Sequence, residues 1–128
     1  MNLQMHHSDF IVDLVKIYNP KVYLELGLYD GETFFKVTPL VTKAIGVDIK
    51  QHPNLKTKNY SNMAICICTT DYYFEQYSAT YDMIFIDADH CYNSVKTDFH
   101  NSIRHLNKGG IIILHDTDPS EVKYLDKG

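Results

Sequence analysis

Short apolar runs alternate with longer amphipathic segments along the chain, and this pattern predicts the fold. Five runs of four to six residues are rich in aliphatic and aromatic side chains, and polar or glycine-containing segments separate them. Runs of this length and composition are typical of buried β-strands. The predicted strands are Lys21–Leu26, Ala44–Ile49, Met63–Cys68, Met83–Ile86 and Ile111–Leu114.

Helical spacing of apolar residues lies before and between these strands. Ser8 is a predicted N-cap, and Asn19-Pro20 ends the helix that follows it. Three further helices are predicted: Gly31 to about Lys43 with Pro39 disturbing its later part, Asp71–Tyr77, and Asn93–Leu106 with Asn107–Gly110 as its stop signal. Strand–helix alternation predicts one doubly wound, Rossmann-like α/β domain over residues 1–128, with a mostly parallel sheet.

Composition and charge narrow the class of partner. Hydrophobic residues make up 45% of the 128 residues, charged residues make up 22%, and the formal net charge is −4. A chain without a basic surface is a poor binder of nucleic acid and of anionic membranes, and no apolar run approaches 18 residues. The three cysteines are an odd number, so they cannot form a complete disulfide framework. We therefore expect a cytoplasmic protein whose partner is a small molecule.

Every predicted strand is followed by an acidic residue at or near its carboxyl end. Parallel α/β sheets bind ligands at that edge. One aspartate there is explained by turn or cap formation, but five along one edge favour a ligand that is cationic, rich in hydroxyl groups, or a metal. These acidic residues are Asp30, Asp48, Asp71, Asp87 with Asp89, and Asp116 with Asp118.

The loop after the first strand indicates a nucleoside more than a dinucleotide. Its glycines, Gly27 and Gly31, have the spacing Gly-x-x-x-Gly and lack the third glycine of a dinucleotide fingerprint. Asp30 would place negative charge where a pyrophosphate binds. Asp48 ends the next strand about 20 residues on, where a carboxylate can accept hydrogen bonds from ribose hydroxyls. A plain strand–helix turn remains the alternative for the glycine pair.

These motifs together resemble the class I S-adenosylmethionine-dependent methyltransferases, in the branch that acts on small molecules. The resemblance runs from about Lys21 to Thr117. It implies a sheet in the order 3-2-1-4-5. The matching residues are Glu25-x-Gly27-x-x-x-Gly31, Asp48, Asp71, the segment Asp87-Ala88-Asp89-His90-Cys91-Tyr92, Gly109-Gly110 and His115-Asp116.

The resemblance also implies roles for these residues. Glu25, Gly27 and Gly31 would hold the methionine end of S-adenosylmethionine, Asp48 the ribose, and Thr70 and Asp71 the adenine. Asp71 as the N-cap of its helix is the open alternative. Asp87 would border the cofactor, and Asp87, His90 and His115 are the candidates for taking a proton from the acceptor.

Some relatives in this family bind Mg²⁺ between carboxylates at the strand ends, so the resemblance also suggests a metal site here. Asp87 and Asp116 would be those carboxylates here, but Thr117 stands where those relatives place a third Asp or Asn. The predicted metal site is therefore incomplete by that pattern.

The family usually continues past strand five with a helix and an antiparallel strand pair. Residues 118–128 are too few for those elements, so we expect the sheet to lack the pair and to expose the edge of strand five. Such an edge invites pairing with another chain, which predicts a homo-oligomer. The chain is then a fragment or a minimal form. A non-catalytic nucleoside-binding module and, less well supported, an NAD-dependent oxidoreductase remain as alternatives.

Overall fold

The computed structural model describes residues 7–55, 60–87, 92–115 and 122–126. They form a six-stranded sheet in the order β3-β2-β1-β4-β5-β6, in which β1 to β5 are parallel. The predicted five-strand order 3-2-1-4-5 is confirmed. The strands are β1 Val22–Leu26, β2 Lys43–Asp48, β3 Met63–Ile67, β4 Tyr81–Asp87, β5 Leu106–His115 and β6 Val122–Asp126.

Helices fall where the apolar spacing predicts them. They are α1 His7–Tyr18, α2 Glu32–Val37, α3 Thr70–Gln76 and α4 Tyr92–Arg104. A 3₁₀ turn over Thr38–Leu40 follows α2 and contains Pro39, so the predicted disturbance shortens that helix. In the described ranges, no helix has the length and apolarity needed to cross a membrane.

The sheet is buried on both faces, which explains why its strands are almost continuously apolar. Successive residues of β1 point to opposite sides: Tyr23 packs into the core beneath α1 and α2, and Leu24 into the core beneath α3 and α4. The first core includes Ile11, Val15, Phe34, Phe85 and Ile113. The second includes Tyr73, Phe74, Ile84, Ile86 and Ile112, with Phe99 and Ile103 of α4 packed against it.

A sixth strand corrects one expectation from the sequence. Residues 122–126 form β6, which pairs antiparallel with β5 from Ile111↔Asp126 to His115↔Val122. Residues 118–128 are expected to be too few for a helix and a strand pair, yet residues 122–126 supply one strand, because five residues with Val and Tyr in alternation suffice to pair along an existing edge. The expectation that the edge of strand five is exposed is wrong, since β6 occupies it. The homo-oligomer stays a prediction.

The start of β5 differs from its prediction as well. Asn107–Gly110, predicted as a helix stop, lies within β5. Tyr81 pairs with Leu106 and Met83 with Ile111, so several residues of β5 bulge out opposite Asp82. Gly109 has φ 83°, a left-handed conformation that suits glycine at a bulge.

Asp82 joins three chain segments at this end of the sheet. Its Oδ2 accepts hydrogen bonds from the amides of Lys21 (3.1 Å) and Val22 (2.9 Å), and its Oδ1 accepts one from Asn107 Nδ2 (2.9 Å). Burial acts to raise the pKa of the Asp82 carboxyl, but these hydrogen bonds outweigh it and hold the pKa below its usual range.

Asp82→Ala should lower the free energy of unfolding by roughly 1–3 kcal/mol at pH 7, because it leaves donors of β1 unpaired. A depressed pKa contributes stability above the unfolded value of about 3.9, and this contribution is lost as the pH falls through the folded value. The gap between wild type and variant should therefore narrow below about pH 4. Urea unfolding across pH measures it. Asp82→Asn, which keeps an acceptor oxygen, should lose less, and an equal loss at every pH would contradict the account.

Candidate functional site

A cleft of about 810 Å³ lies at the carboxyl ends of the parallel strands. It brings together residues from the ends of β1, β2, β3 and β4, as expected at the switch point of a doubly wound sheet. Five of the predicted cofactor-binding residues line it: Gly27, Asp48, Thr70, Asp71 and Asp87. Its wall also contains Leu26, Tyr29, Val47, Ile49, Lys50, Gln51, His52, Pro53, Thr69 and Asp98.

Gly27 allows the loop after β1 to pass close to the end of β4. Its φ is 91°, and a Cβ at this position would lie 2.3 Å from the carbonyl oxygen of Asp87. Any other residue would therefore push the loop away from β4. The Tyr29 hydroxyl donates to that same carbonyl oxygen at 3.3 Å, which ties the loop to β4 a second time.

Asp48 fixes the other side of this loop. Its Oδ2 accepts hydrogen bonds from the amides of Leu28 (2.8 Å) and Tyr29 (3.1 Å). Its Oδ1 accepts a long 3.4 Å hydrogen bond from the Lys50 amide. Asp48 lies in the cleft wall as predicted, and it has a structural role, anchoring the loop, that the sequence did not indicate.

Glu25 and Gly31 lie outside the cleft wall, although the sequence analysis placed them at the cofactor. Glu25 is buried beneath the loop, where its Oε1 accepts a hydrogen bond from the Tyr23 hydroxyl at 2.5 Å. Burial raises the pKa of the Glu25 carboxyl well above its usual range, and Asp87 and Asp48 add to the rise while the Tyr23 hydrogen bond opposes it. Gly31 caps the N-terminus of α2 with φ 83°. Both residues support the loop from behind.

The sequence left open whether Asp71 caps the helix that follows β3, and the structure shows a different N-cap. Thr69 is the N-cap of α3, and its hydroxyl accepts from the Tyr72 amide at 3.1 Å. Asp71 is therefore not the cap; its Oδ1 accepts a 3.4 Å hydrogen bond from Asn101 of α4. Thr70 and Asp71 both line the cleft.

Asp98 is a cleft residue that the sequence analysis missed. It lies on α4, is 8% exposed, and accepts a hydrogen bond from the Thr70 hydroxyl through Oδ1. Burial raises the pKa of its carboxyl, the Thr70 hydrogen bond opposes the rise, and Asp71 adds to it. A signal was available, because Asp98 is three residues after Val95 and four before Ser102, on the side of α4 that faces inward. Carboxylates are rarely buried, so one at this position indicates a specific structural or functional role.

Asp87 and His115 form a pair at the ends of β4 and β5. The Nδ1 of His115 lies 2.9 Å from the Oδ1 of Asp87, and both side chains are largely buried. Asp87 lines the cleft, and His115 contacts Asp87 from the end of the neighbouring strand β5. The structure thus brings together two of the three residues predicted for proton transfer.

The remaining predictions fall outside the described residues. These are His90 as a proton acceptor, Asp89 beside it, and Asp116 as a metal ligand. Within the residues that the structure does describe, no group of three or more His, Cys, Asp or Glu side chains could hold a metal ion.

Comparisons with known proteins assign the chain to a family. The family described as "Methyltransferase domain" matches residues 24–117, which is most of the chain. The chain belongs to this methyltransferase domain family. Comparison with curated proteins gave no match.

Solved structures share the fold at low sequence identity. An O-methyltransferase from Bacillus cereus in complex with SAH superposes with a TM-score of 0.77 at 17% identity, over 92% of this chain and 59% of that one. MycE methyltransferase from the mycinamycin biosynthetic pathway, in complex with Mg and SAH, gives 0.70 at 14% identity, over 91% of this chain and 36% of that one. The chain therefore spans less than two thirds of either protein.

Replacing Glu25 with Gln should stabilise the protein more at pH 8 than at pH 5. A raised pKa contributes stability that is complete below the unfolded value of about 4.3 and is lost as the pH rises toward the folded value. Gln keeps an acceptor for Tyr23 and does not ionise. Urea unfolding midpoints of both proteins at the two pH values test this, with exposed Glu75→Gln as the control. A difference that is the same at both pH values would contradict the burial of an ionisable carboxyl.

Proposed function

We propose that this protein is an S-adenosylmethionine-dependent methyltransferase that transfers a methyl group to an oxygen of a small-molecule acceptor. The observation that carries the proposal is the convergence of Gly27, Asp48, Thr70, Asp71 and Asp87 on one cleft at the carboxyl edge of the sheet. Membership of the methyltransferase domain family supports the reaction. The O-methyltransferase from Bacillus cereus, a structural neighbour, supports oxygen as the acceptor atom.

The residues of the cleft fit such a cofactor. Its volume of about 810 Å³ is in the range of small-molecule sites. Asp48 Oδ1 has acceptor capacity for ribose hydroxyls, and Ile49 beside it is 67% exposed, which offers an apolar surface to a base. The close approach of Gly27 to Asp87 leaves backbone lining the end of the cleft where the methionine portion would lie.

The charge of the cleft also suits this ligand. Asp48 and Asp87 both line it, and both raise the pKa of Glu25 behind it, so the field at the end of β1 is negative. A negative, partly enclosed site favours a cation over a pyrophosphate. The negative charge of the cleft therefore supports a nucleoside with a positively charged sulfonium group over NAD.

When bound, S-adenosylmethionine would supply a methyl group on a positively charged sulfur. Transfer is an in-line displacement: the acceptor oxygen forms a bond to the methyl carbon as the carbon–sulfur bond breaks, and the acceptor proton leaves to a base. We assign the base to the Asp87–His115 pair, since the 2.9 Å contact lets the carboxylate orient the imidazole and stabilise its protonated form. His115 would then face the acceptor through its other ring nitrogen.

Asp48→Ala should weaken binding of S-adenosylhomocysteine by roughly 1–3 kcal/mol, since it removes a charged hydrogen-bond acceptor. Calorimetric titration measures the affinity, with NAD titrated in parallel. Asp13→Ala, which removes an exposed carboxylate of α1, is the matched control and should bind as wild type does. Unchanged affinity in the Asp48 variant would remove Asp48 from the site, and binding of NAD alone by wild type would overturn the proposed function.

A further inference from the structure

The two edge strands of the described sheet, β3 and β6, differ in their charge. The sequence of β6, VKYLD, contains Lys123 and Asp126, and charged residues commonly keep an edge strand from pairing with another chain. The sequence of β3 is MAICI, and no charged residue, proline or glycine occurs from Tyr60 to Thr70. The register of β3 with β2 is also continuous, without a bulge. β3 therefore lacks the features that usually protect a sheet edge.

The backbone of β3 faces its partner strand and the open edge in alternation. The Asn62 carbonyl oxygen accepts from the Ala44 amide, and the Cys68 amide donates to the Asp48 carbonyl oxygen, both at 2.9 Å. The even-numbered residues of this segment thus direct their backbone groups to β2, and the residues between them direct theirs outward. These outward-facing residues are Met63, Ile65 and Ile67. In the described ranges, no strand lies beyond β3 to pair with them.

The side chains of β3 are apolar and incompletely covered. Each of its five residues is at least partly exposed, whereas four of the six residues of β2 are buried. Ile67 alone is 45% exposed. Unpaired backbone groups beside apolar side chains are a template for another β-strand. None of the five β3 residues lines the cleft, so pairing through this strand does not depend on the ligand that the cleft holds.

We propose that two copies of this chain associate through β3, which pairs antiparallel with its counterpart about a two-fold axis at Ile65 and joins the two sheets into one. Ile65 then lies opposite Ile65 of the second copy, and Met63 of each copy lies opposite Ile67 of the other. Because the amide and carbonyl groups of these residues face the edge, each opposed pair exchanges two hydrogen bonds. Pairing of one strand with itself uses the same surface on both copies, so the assembly closes as a dimer.

The charges at the two ends of β3 favour a second copy in this antiparallel direction. Lys43 is exposed at the start of β2, next to the register pair of Ala44 and Met63, so the amino end of the edge is basic. Asp71 and Glu75 are exposed on α3, beyond the carboxyl end of β3. Antiparallel pairing places the basic end of one copy beside the acidic end of the other, whereas parallel pairing would place like charges together.

The mass of the protein in solution is the first test. Sedimentation equilibrium over a wide range of concentration should show a monomer–dimer equilibrium that ends at twice the 14.8 kDa of one chain. Ile67→Lys places a charge on the edge strand of both copies and should raise the dissociation constant of the dimer at least about tenfold. The matched control is Ile17→Lys, the same substitution at a 74% exposed position of α1, and it should leave the equilibrium unchanged.

Amide hydrogen exchange then shows whether β3 forms the contact. In the wild type, the amides of Met63, Ile65 and Ile67 should exchange slowly where the dimer predominates and faster on dilution. The amides of Ala64 and Cys66, which face β2, should stay protected at both concentrations. This alternation along one strand identifies edge pairing and needs no substituted protein.

Several results would overturn the proposed dimer. A monomer at every concentration would do so, and so would a series of species larger than a dimer. A dimer in which the outward-facing amides exchange at the same rate after dilution would form through another surface. A dimer that Ile67→Lys leaves as tight as the wild type would likewise exclude β3 as the contact. If Ile67→Lys does not fold, the exchange pattern of the wild type decides.

Discussion

The hydrogen bonds from the Leu28 and Tyr29 amides to Asp48 are the constraint on which the cleft depends. They hold the loop after β1 against the end of β2, while Gly27 lets the same loop pass within contact of Asp87 at the end of β4. Three neighbouring strands are thereby joined at their carboxyl ends by one short loop. The cleft has its shape because these contacts hold the loop between the ends of β2 and β4.

The same arrangement places three carboxyl groups close together. Glu25 lies beneath the loop, and Asp48 and Asp87 lie on either side of it, close enough that both raise the pKa of Glu25. The hydrogen bond that the Tyr23 hydroxyl donates to Glu25 offsets part of the free-energy cost of burying this carboxyl. A carboxyl with a raised pKa keeps its proton to a higher pH, which limits the repulsion that Glu25 adds to Asp48 and Asp87.

Much of the fold could be predicted because its determinants are local. Continuous apolar strands flanked by helical spacing define a parallel sheet buried on both faces, and strand ends then place Gly27, Asp48 and Asp87 at one edge. β6 was missed because its pairing depends on an existing edge of β5, which short-range patterns do not display. The bulge at Asn107–Gly110 was missed because it depends on the pairing of β5 with β4 and on a hydrogen bond from Asn107 to Asp82, which is distant in sequence.

The candidate site was predicted less completely than the fold. Motif positions predicted which strand ends meet, but not which side chains face the ligand. Glu25 points inward because it shares the face of Tyr23 in β1, as the two-residue period of a strand requires. Asp98 is hard to predict as a site residue because it is buried on α4 beside the apolar residue Phe99, a position where a carboxylate is rarely found.

We infer that the loop anchored on Asp48 forms the wall of a nucleoside site. Backbone amide chemical shifts recorded during titration with S-adenosylhomocysteine test it most directly. We predict saturable shifts that cluster at Gly27–Tyr29, Asp48–Ile49 and Thr69–Asp71, with little change in α1. Saturable shifts confined to other parts of the sheet, or none at millimolar ligand, would contradict the claim.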